Sequence, residues 1–424
     1  MTDAPVHPRD PMGWIAALTI AFLTLCLVRL TVPAQPYFDE VHYLPAARAL
    51  LGLSHLANPE HPPLGKELIA LGIALFGDRP LGWRIAPALL GGIGYFAAMR
   101  AMWFATLSRF GTVAFGVLLA TSFLLLVHAR IAMLDGIMAS FSLVALWMCA
   151  GALRENETAR WRLAIAGIAF GCAMAAKWNA VPLAILPGLA FLAVRARTAE
   201  WSFATISRGE PIGGMSLIEA AVWLGLLPLA VYAASYLPYA FLADGAVSPA
   251  GLLDLHRRMI ALQEQVVKQH TYQSVWYEWV LNWRAIWYLY ASVDGVQRGV
   301  MLIGNPLTML IGLPALAWCA WAGVKRKRRD ALAIVVLYAV SLGLWIVAAK
   351  PVQFYYHYLL PSVFLMAALA LALDELWRRG RRGLPLLALA GSAAFFAYFW
   401  PILSAAPLDC SDAFVRWTWL DSWR

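Results

Sequence analysis

The sequence contains few charged residues and few cysteines, and both shortages narrow the class of protein. Only 13% of its 424 residues are charged, whereas 62% are hydrophobic and the mean hydropathy is +0.67. Soluble domains are about a quarter charged, so soluble folds are excluded and a polytopic membrane protein is indicated. The five cysteines include no CxxC pair, so neither a zinc site nor a disulfide framework is expected.

The net charge of +9 does not indicate a nucleic-acid partner. Basic residues gather in the cytoplasmic loops of membrane proteins, and this pattern accounts for the charge without any nucleic acid. The 20 tryptophans suit aromatic belts at the two surfaces of a lipid bilayer. The bilayer is therefore the first partner that the composition predicts.

Apolar runs long enough to span a membrane recur along the chain, since a span needs about 20 apolar residues. They predict about eleven helices, over residues 12–30, 82–100, 111–129, 134–152, 162–176, 179–195, 217–241, 299–323, 331–349, 355–375 and 384–403. The first run is too long for a signal peptide, which favours an uncleaved helix. We expect an all-α polytopic membrane protein, with one transmembrane domain over residues 1–424.

The distribution of basic residues predicts the orientation. With the N-terminus in the cytoplasm, the cytoplasmic loops contain the run Lys325–Arg329 and the four arginines between residues 378 and 382. This arrangement satisfies the positive-inside rule. It places two long segments, 31–81 and 242–298, on the extracytoplasmic side of an inner (plasma) membrane, which is periplasmic in a bacterium.

Both outer segments contain helical periodicity. Apolar residues at positions 41, 44, 47 and 51 predict a helix that begins at Asp39-Glu40, where a helix N-terminus favours negative charge. In the second segment, aromatic residues recur every three to four positions, namely Tyr272, Trp276, Trp279, Trp283, Trp287 and Tyr290. This spacing predicts an amphipathic helix in the membrane interface, which either anchors the chain or lines a substrate site.

Ionisable residues form one layer at the outer ends of the predicted helices. At mid-helix each would cost about 2.5–3.5 kcal/mol, and outer positions lower that cost. The layer contains Asp39, Glu40, His61, Lys66, Arg84, Arg130, Asp135, Lys177, Lys350 and His357. Such a layer suits sugar transfer from a polyprenyl phosphate, because the phosphate leaving group needs cations and the acceptor hydroxyl needs a base.

Asp39 is the candidate base, and Lys66, Arg84, Arg130 and Lys177 are the candidate cations for the phosphate. Each residue also has a purely structural interpretation. Asp39-Glu40 could cap a helix, Arg130 and Asp135 could form an intramembrane ion pair, and Lys177 could extend to the interface. These alternatives stay open from the residues alone.

The motifs taken in order resemble those of the protein O-mannosyltransferases, which have the GT-C membrane glycosyltransferase fold. The matching segments are Asp39-Glu40, HPPLGK at 61–66, Gly82-Trp83-Arg84 with Pro87, ARIAMLD at 129–135, Lys177-Trp178, Gly304-Asn305-Pro306, and FYYHY at 354–358 with Pro361. The resemblance covers most of the chain. Segment 242–298 is too short for the β-trefoil domain of eukaryotic members, so the chain is similar to a compact bacterial relative.

The resemblance implies that Asp39 is the catalytic acid/base position and that Glu40 is its acidic neighbour. It implies donor-phosphate or substrate contacts from His61, Lys66, Arg84, Arg130, Asp135, Lys177 and His357. The implied reaction is inverting transfer of mannose from dolichyl- or polyprenyl-phosphate mannose to a Ser or Thr hydroxyl of a secreted or membrane protein. No metal-ligand spacing is present, and the sequence neither requires nor excludes a divalent metal ion.

The acceptor stays open at this point, because a lipid or glycan hydroxyl would serve the same chemistry. The alternative enzyme is a related GT-C transferase that adds aminoarabinose to lipid A. The HPPLGK form of the first motif, the Gly304-Asn305-Pro306 segment and the histidine-tyrosine segment at 354–358 favour the mannosyl reaction. A transporter is disfavoured, because the sequence lacks the repeat symmetry of many transporters.

Overall fold

The computed structural model describes residues 8–198, 204–265, 270–348 and 350–424. Within these ranges, nine helices are long and apolar enough to cross a membrane. Two shorter apolar helices, Met12–Leu27 and Arg109–Ala120, accompany them. Each of the eleven predicted segments overlaps one of these helices, although two of them, 111–129 and 299–323, differ as described below.

The described helices, numbered along the chain, are α1 (Met12–Leu27), α2 (Glu40–Leu51), α3 (Leu64–Phe76), α4 (Pro80–Thr106), α5 (Arg109–Ala120), α6 (Leu124–His128), α7 (Leu134–Arg154), α8 (Ala159–Ala176), α9 (Val181–Thr198), α10 (Leu217–Ala221), α11 (Leu227–Ala234), α12 (Leu252–Glu264), α13 (Trp276–Val280), α14 (Pro306–Lys325), α15 (Arg329–Val347), α16 (Leu359–Arg378) and α17 (Gly383–Leu403). A π-helical turn, Val222–Leu226, continues α10 into α11. A 3₁₀ turn, Tyr355–Tyr358, leads into α16.

A β-hairpin that the sequence analysis did not predict lies at the end of segment 242–298 and in the residues that follow it. Strand β1 (Ile286–Val293) pairs antiparallel with β2 (Val296–Leu302). Asp294 and Gly295 join the strands with φ of 52° and 74°. Two consecutive left-handed residues give the tight turn that matches the twist of a hairpin, and Asp-Gly is a favoured sequence for it.

The hairpin corrects two predictions. The aromatic helix expected across residues 272–290 is wrong except for α13, because Trp287 and Tyr290 lie in a strand. Aromatic and β-branched residues favour strands when a partner strand is available, and periodicity alone did not reveal the partner. The span expected from residue 299 begins instead at Pro306, since β2 occupies the residues up to Leu302. The remainder of the prediction for 242–298 includes residues 266–269, which lie outside the described residues.

The span expected over residues 111–129 is divided into α5 and α6. Phe123 has a φ of 75°, which ends the helical path. The Asn305 side chain donates to the carbonyl oxygens of Thr121 at 2.9 Å and Ser392 at 3.0 Å. Backbone groups freed by a helix break inside a membrane protein need new partners. Asn305 of the Gly-Asn-Pro segment therefore stabilises this break.

Helices α4 and α7 pack closely against each other. Gly94 of α4 lies against Ser140 of α7, where a Cβ atom would come within 2.8 Å of the Ser140 Cα. Small residues allow such approach of helices in membranes. Helix α16 is central, because 83% of its 18-residue apolar stretch is buried inside the protein. In α17, only 22% of such a stretch is buried. Helix α17 therefore lies at the periphery.

Candidate active site

Glu40 is held by four hydrogen bonds at the start of α2. Its Oε1 accepts from Arg84 Nε at 2.7 Å and from the Ala132 amide at 3.0 Å. Its Oε2 accepts from Arg84 Nη2 at 2.8 Å and from the Tyr37 amide at 3.2 Å. A carboxylate offers about four acceptor positions, so these bonds saturate Glu40. The predicted catalytic role of Glu40 receives no support from this geometry, which fits a positioning residue.

Arg84 uses its remaining donors on the backbone of the preceding loop. It donates to the carbonyl oxygens of Leu30 at 3.1 Å, Pro33 at 2.8 Å and Gln35 at 3.1 Å. The side chain is fully buried. A guanidinium has five N–H donors, and all five are engaged. Arg84 therefore fixes the loop that carries Asp39, and it has no donor left for a phosphate, contrary to the expectation from sequence.

Asp39 differs sharply from its neighbour. It occupies the N-cap position of α2, yet its side chain makes no capping hydrogen bond. Across the described residues, its carboxylate has neither a hydrogen bond nor an ion pair with the protein. The interpretation of Asp39 as a helix cap is therefore wrong. Its partly exposed carboxylate is available to another molecule.

The surroundings of Asp39 tune its acidity. Burial raises the pKa of Asp39 to about 6, and Asp135 acts in the same direction. Lys177, His42 and Lys350 oppose the increase. A base is most effective when its pKa lies near the working pH. Asp39 therefore has the electrostatic properties of a general base.

Phe38 holds the turn that precedes Asp39. It has a φ of 51°, in the left-handed region that residues other than glycine seldom adopt. Its ring stacks on Tyr288 of β1 at 3.9 Å between centroids and meets the edge of Tyr356 at 6.1 Å. Strained conformations persist when surrounding contacts enforce them. The hairpin thus supports the backbone at the site.

Lys177 and Asp135 form a buried ion pair beside Asp39. Lys177 Nζ lies 2.7 Å from Asp135 Oδ2, and the side chains are 4% and 1% exposed. The ammonium group also lies 5.0 Å from the centre of the Tyr356 ring. Two open alternatives are therefore wrong, because Asp135 pairs with Lys177 rather than Arg130, and Lys177 does not extend to an exposed interface.

Two other predicted phosphate ligands, Arg130 and Lys66, donate to backbone carbonyls. Arg130 Nη1 donates to Leu25 at 2.8 Å and to Cys26 at 2.9 Å, near the C-terminus of α1. Cations are favoured at that end of a helix. Lys66 Nζ donates to Asn58 at 2.6 Å and to the carbonyl of His61 at 2.8 Å. Burial lowers the pKa of Lys66 to about 7. Both residues hold local structure.

Lys350 is the cation that the sequence analysis did not assign to the phosphate. It follows α15, is partly exposed, and forms no ion pair with the described residues. Burial, together with Lys177, lowers the pKa of Lys350 to about 8, while Asp135 and Asp39 oppose the decrease. Its sequence signal was a lysine just after an apolar helix and directly before a proline.

Two histidines complete the site. Burial, with Lys177 and Lys350, lowers the pKa of His61 well below its usual value, so the ring is neutral. The His357 ring stacks on Trp345 at 3.6 Å. Its Nδ1 accepts from the Phe354 amide at 3.1 Å, which assigns the proton of a neutral ring to Nε2.

His357 Nε2 is buried without a partner among the described residues. His357 borders a small cavity that Asp135, Asn179 and Ser341 also line. A buried donor without a partner is unfavourable unless a water or ligand accepts from it. The cavity therefore suits a polar occupant.

The structure thus brings together Asp39, the Lys177–Asp135 pair, Lys350, His61 and His357, which are distributed along the chain from residue 39 to residue 357. Glu40 and Arg84 bind each other and the loop backbone, Arg130 binds carbonyls at the end of α1, and Lys66 binds the carbonyl of His61. Among the described residues, no three His, Cys, Asp or Glu side chains are grouped as a metal site. The arrangement offers one unpaired carboxylate beside two lysines, which suits proton removal next to a phosphate.

Two family models of known proteins match this chain. A family model described as "Dolichyl-phosphate-mannose-protein mannosyltransferase" matches residues 60–207. A second, described as "C-terminal four TMM region of protein-O-mannosyltransferase", matches residues 250–423. The two models lie one after the other and cover most of the chain.

Named relatives extend the match to nearly full length. A polyprenol-phosphate-mannose–protein mannosyltransferase of Mycolicibacterium smegmatis is 28% identical, over 97% of this chain and 93% of the relative. That of Mycobacterium tuberculosis is 28% identical, over 99% and 94%. That of Corynebacterium glutamicum is 26% identical, over 98% and 94%.

Solved structures show the same fold. The Saccharomyces cerevisiae protein O-mannosyltransferase Pmt1-Pmt2 complex, bound to the sugar donor, matches with a TM-score of 0.83 at 13% identity, covering 98% of this chain and 93% of that chain. ArnT from Cupriavidus metallidurans, bound to undecaprenyl phosphate, matches with a TM-score of 0.61 at 16% identity, covering 90% and 64%. The chain has the GT-C fold of these transferases.

Proposed function

Because the chain belongs to the protein O-mannosyltransferase family, we propose that it transfers mannose from polyprenyl-phosphate mannose to a Ser or Thr hydroxyl of a protein, with inversion at the anomeric carbon. The observation that carries the proposal is the unpaired carboxylate of Asp39 beside Lys177 and Lys350. The names of the bacterial relatives support the donor and the protein acceptor.

In the proposed reaction, Asp39 takes the proton of the acceptor hydroxyl while the hydroxyl oxygen attacks the anomeric carbon of the donor. The bond between that carbon and the phosphate oxygen breaks, and its electron pair leaves with the polyprenyl phosphate. One displacement inverts the anomeric carbon, so a second carboxylate is not required as a nucleophile. Glu40 already accepts hydrogen bonds from Arg84 and Ala132, so it is not free to act as such a nucleophile, in agreement with this scheme.

Lys350 is the proposed principal ligand of the departing phosphate, because it forms no ion pair in the described chain. Lys177 contributes a second positive charge, although Asp135 partly compensates it. Preorganised cations stabilise charge that develops on a leaving group. His61 and His357 line the same space and are available to the sugar hydroxyls.

The chain is an integral multi-pass membrane protein, and we place it in the inner (plasma) membrane with the active site facing outward. Helix α16 supports this orientation, since it begins beside the site at Leu359 and ends at Arg378. The basic run Lys325–Arg329 lies at the junction of α14 and α15. Positive charge gathers on the cytoplasmic side, so the site belongs to the opposite surface.

The test is an assay with purified protein, polyprenyl-phosphate mannose and a Ser/Thr-containing acceptor peptide in detergent. Asp39→Asn should abolish transfer while donor binding persists, because the amide cannot accept the proton. Asp254→Asn is the matched control, since Asp254 is exposed on α12. Full activity of Asp39→Asn would exclude the base role. Transfer to lipid A with no transfer to peptide would exclude the protein acceptor.

A further inference from the structure

An apolar groove lies on the periphery of the protein, far along α16 from the active site. It has a volume of about 570 Å³ and runs between α14, α16 and α17. Its walls include Ile311 and Ala315 from α14, Leu376 from α16, and Leu387 and Ala388 from α17. Small-molecule pockets span about 300–1,000 Å³, so the groove has room for a ligand.

The groove is closed at one end and reaches the basic end of the helices at the other. Gly391 of α17 meets Leu307 of α14, where a Cβ atom would lie 2.6 Å from the leucine side chain. From Leu307 to Trp318, the wall formed by α14 is about 16 Å long at 1.5 Å per residue. One leaflet of the hydrocarbon core is about 15 Å thick. The groove therefore matches the depth of one leaflet.

Charged side chains line the open end of the groove. Glu375 and Arg379 both border the groove. Glu375 accepts from Arg379 at 2.9 Å, from Arg328 at 3.1 Å and from Arg326 at 3.4 Å. Arg328 also pairs with Asp330 at 2.6 Å, so three guanidiniums face two carboxylates. This leaves an excess of one positive charge, which Arg381 and Arg382 increase in the adjoining sequence.

We propose that this groove binds one acyl chain of an anionic phospholipid from the leaflet at the basic end, with the lipid phosphate beside Arg379 and Arg326. Both side chains are accessible, with exposures of 50% and 43%. Arginine recognises phosphate through paired N–H donors. The proposal is independent of the transfer reaction, because the proposed phosphate ligand Lys350 lies near the opposite end of α16.

Two other occupants fit less well. A second copy of the chain, related by a two-fold axis, would bring two basic groove openings together, which like charges oppose. The polyprenyl chain of the donor would begin beside Asp39, at the other membrane surface. The positive charge at the groove opening and the position of that opening therefore favour a phospholipid from the leaflet at the basic end of the helices.

The test compares phosphatidylglycerol with phosphatidylcholine on delipidated protein, by native mass spectrometry and thermal melting. We expect phosphatidylglycerol to stay bound and to raise the Tm more than phosphatidylcholine. Ala388→Trp should weaken phosphatidylglycerol binding about tenfold or more, a loss of about 1.4 kcal/mol. Ala390→Trp, on an exposed position of the same helix, is the matched control and should change binding less than twofold.

A second pair of variants tests the headgroup. Arg379→Gln should reduce the preference for phosphatidylglycerol, whereas Arg378→Gln should not, because Arg378 pairs with Asp374 and does not border the groove. Equal binding of the two lipids would overturn the proposal, as would unchanged binding in Ala388→Trp and Arg379→Gln. Displacement of phosphatidylglycerol by polyprenyl phosphate, or a dimer that Ala388→Trp dissociates, would assign the groove to the other occupants.

Discussion

Glu40 and Arg84 form a fully buried salt bridge, with Arg84 Nε 2.7 Å from Glu40 Oε1 and both side chains 0% exposed. The pair joins the loop before α2 to α4 and holds the backbone that carries Asp39. Two adjacent carboxylates therefore have separate tasks, since Glu40 holds the loop and Asp39 stays unpaired.

Arg84→Lys should lower both stability and activity. Lysine cannot reproduce the five hydrogen bonds of Arg84, and disruption of a buried pair costs about 3–5 kcal/mol. Thermal melting in detergent measures the first effect, and the transfer assay measures the second. Arg48→Lys is the control, because its pair with Asp78 is 42% and 46% exposed and should contribute under about 1 kcal/mol. An unchanged Tm in Arg84→Lys would contradict the anchoring role.

The transfer rate should fall on the acidic side of pH 6. Asp39 acts as a base only when it is deprotonated, and its pKa is raised to about 6. One pH unit below the pKa, about a tenth of the enzyme remains active, so kcat/KM should drop about tenfold by pH 5. If kcat/KM stays constant down to pH 4.5, Asp39 is not the base.

At alkaline pH, the decline of kcat/KM with rising pH should depend on Lys350. Its pKa is lowered to about 8, so it loses its charge as the pH rises through that value and the phosphate loses a cation. Lys350→Arg keeps the charge at higher pH, so we expect the alkaline decline to move upward while the acidic decline is retained. If the alkaline decline is identical in this variant, another group controls it.

Loss of the Lys350 charge should reduce kcat/KM at neutral pH. Lys350→Gln should lower it by about 100-fold, the scale seen when one preorganised donor to a developing charge is removed. Lys325→Gln, at the basic end of α14, is the control and should retain full activity. Comparable activity of the two variants would show that Lys350 does not bind the phosphate.

Arg130→Gln should affect stability rather than donor binding. Its guanidinium binds the Leu25 and Cys26 carbonyls, so its removal leaves those groups with fewer partners and lowers the Tm. Donor affinity, measured by titration with polyprenyl-phosphate mannose, should change less than twofold. Weaker donor binding at an unchanged Tm would show that Arg130 binds the donor phosphate.

Much of the fold was predictable because it depends on local patterns. Apolar runs located the eleven apolar helices, and the periodicity after Asp39 located α2. The hairpin was missed because strand pairing depends on a partner, although the Asp294-Gly295 turn was a usable signal. The break at Phe123 was missed because Asn305, distant in sequence, stabilises it.

By itself, the sequence determined the class of protein, the apolar helices, the basic loops, and the ordered motifs that resemble one family. Hydrophobicity and charge act through the bilayer on each segment separately, so they can be read locally. Only the tertiary structure decided that Asp39 is unpaired while Glu40 is saturated, and that Lys350 rather than Arg84 remains available. Those outcomes depend on hydrogen bonds between segments more than 40 residues apart, such as Arg84 with Glu40 and Lys177 with Asp135, and packing alone brings such partners together.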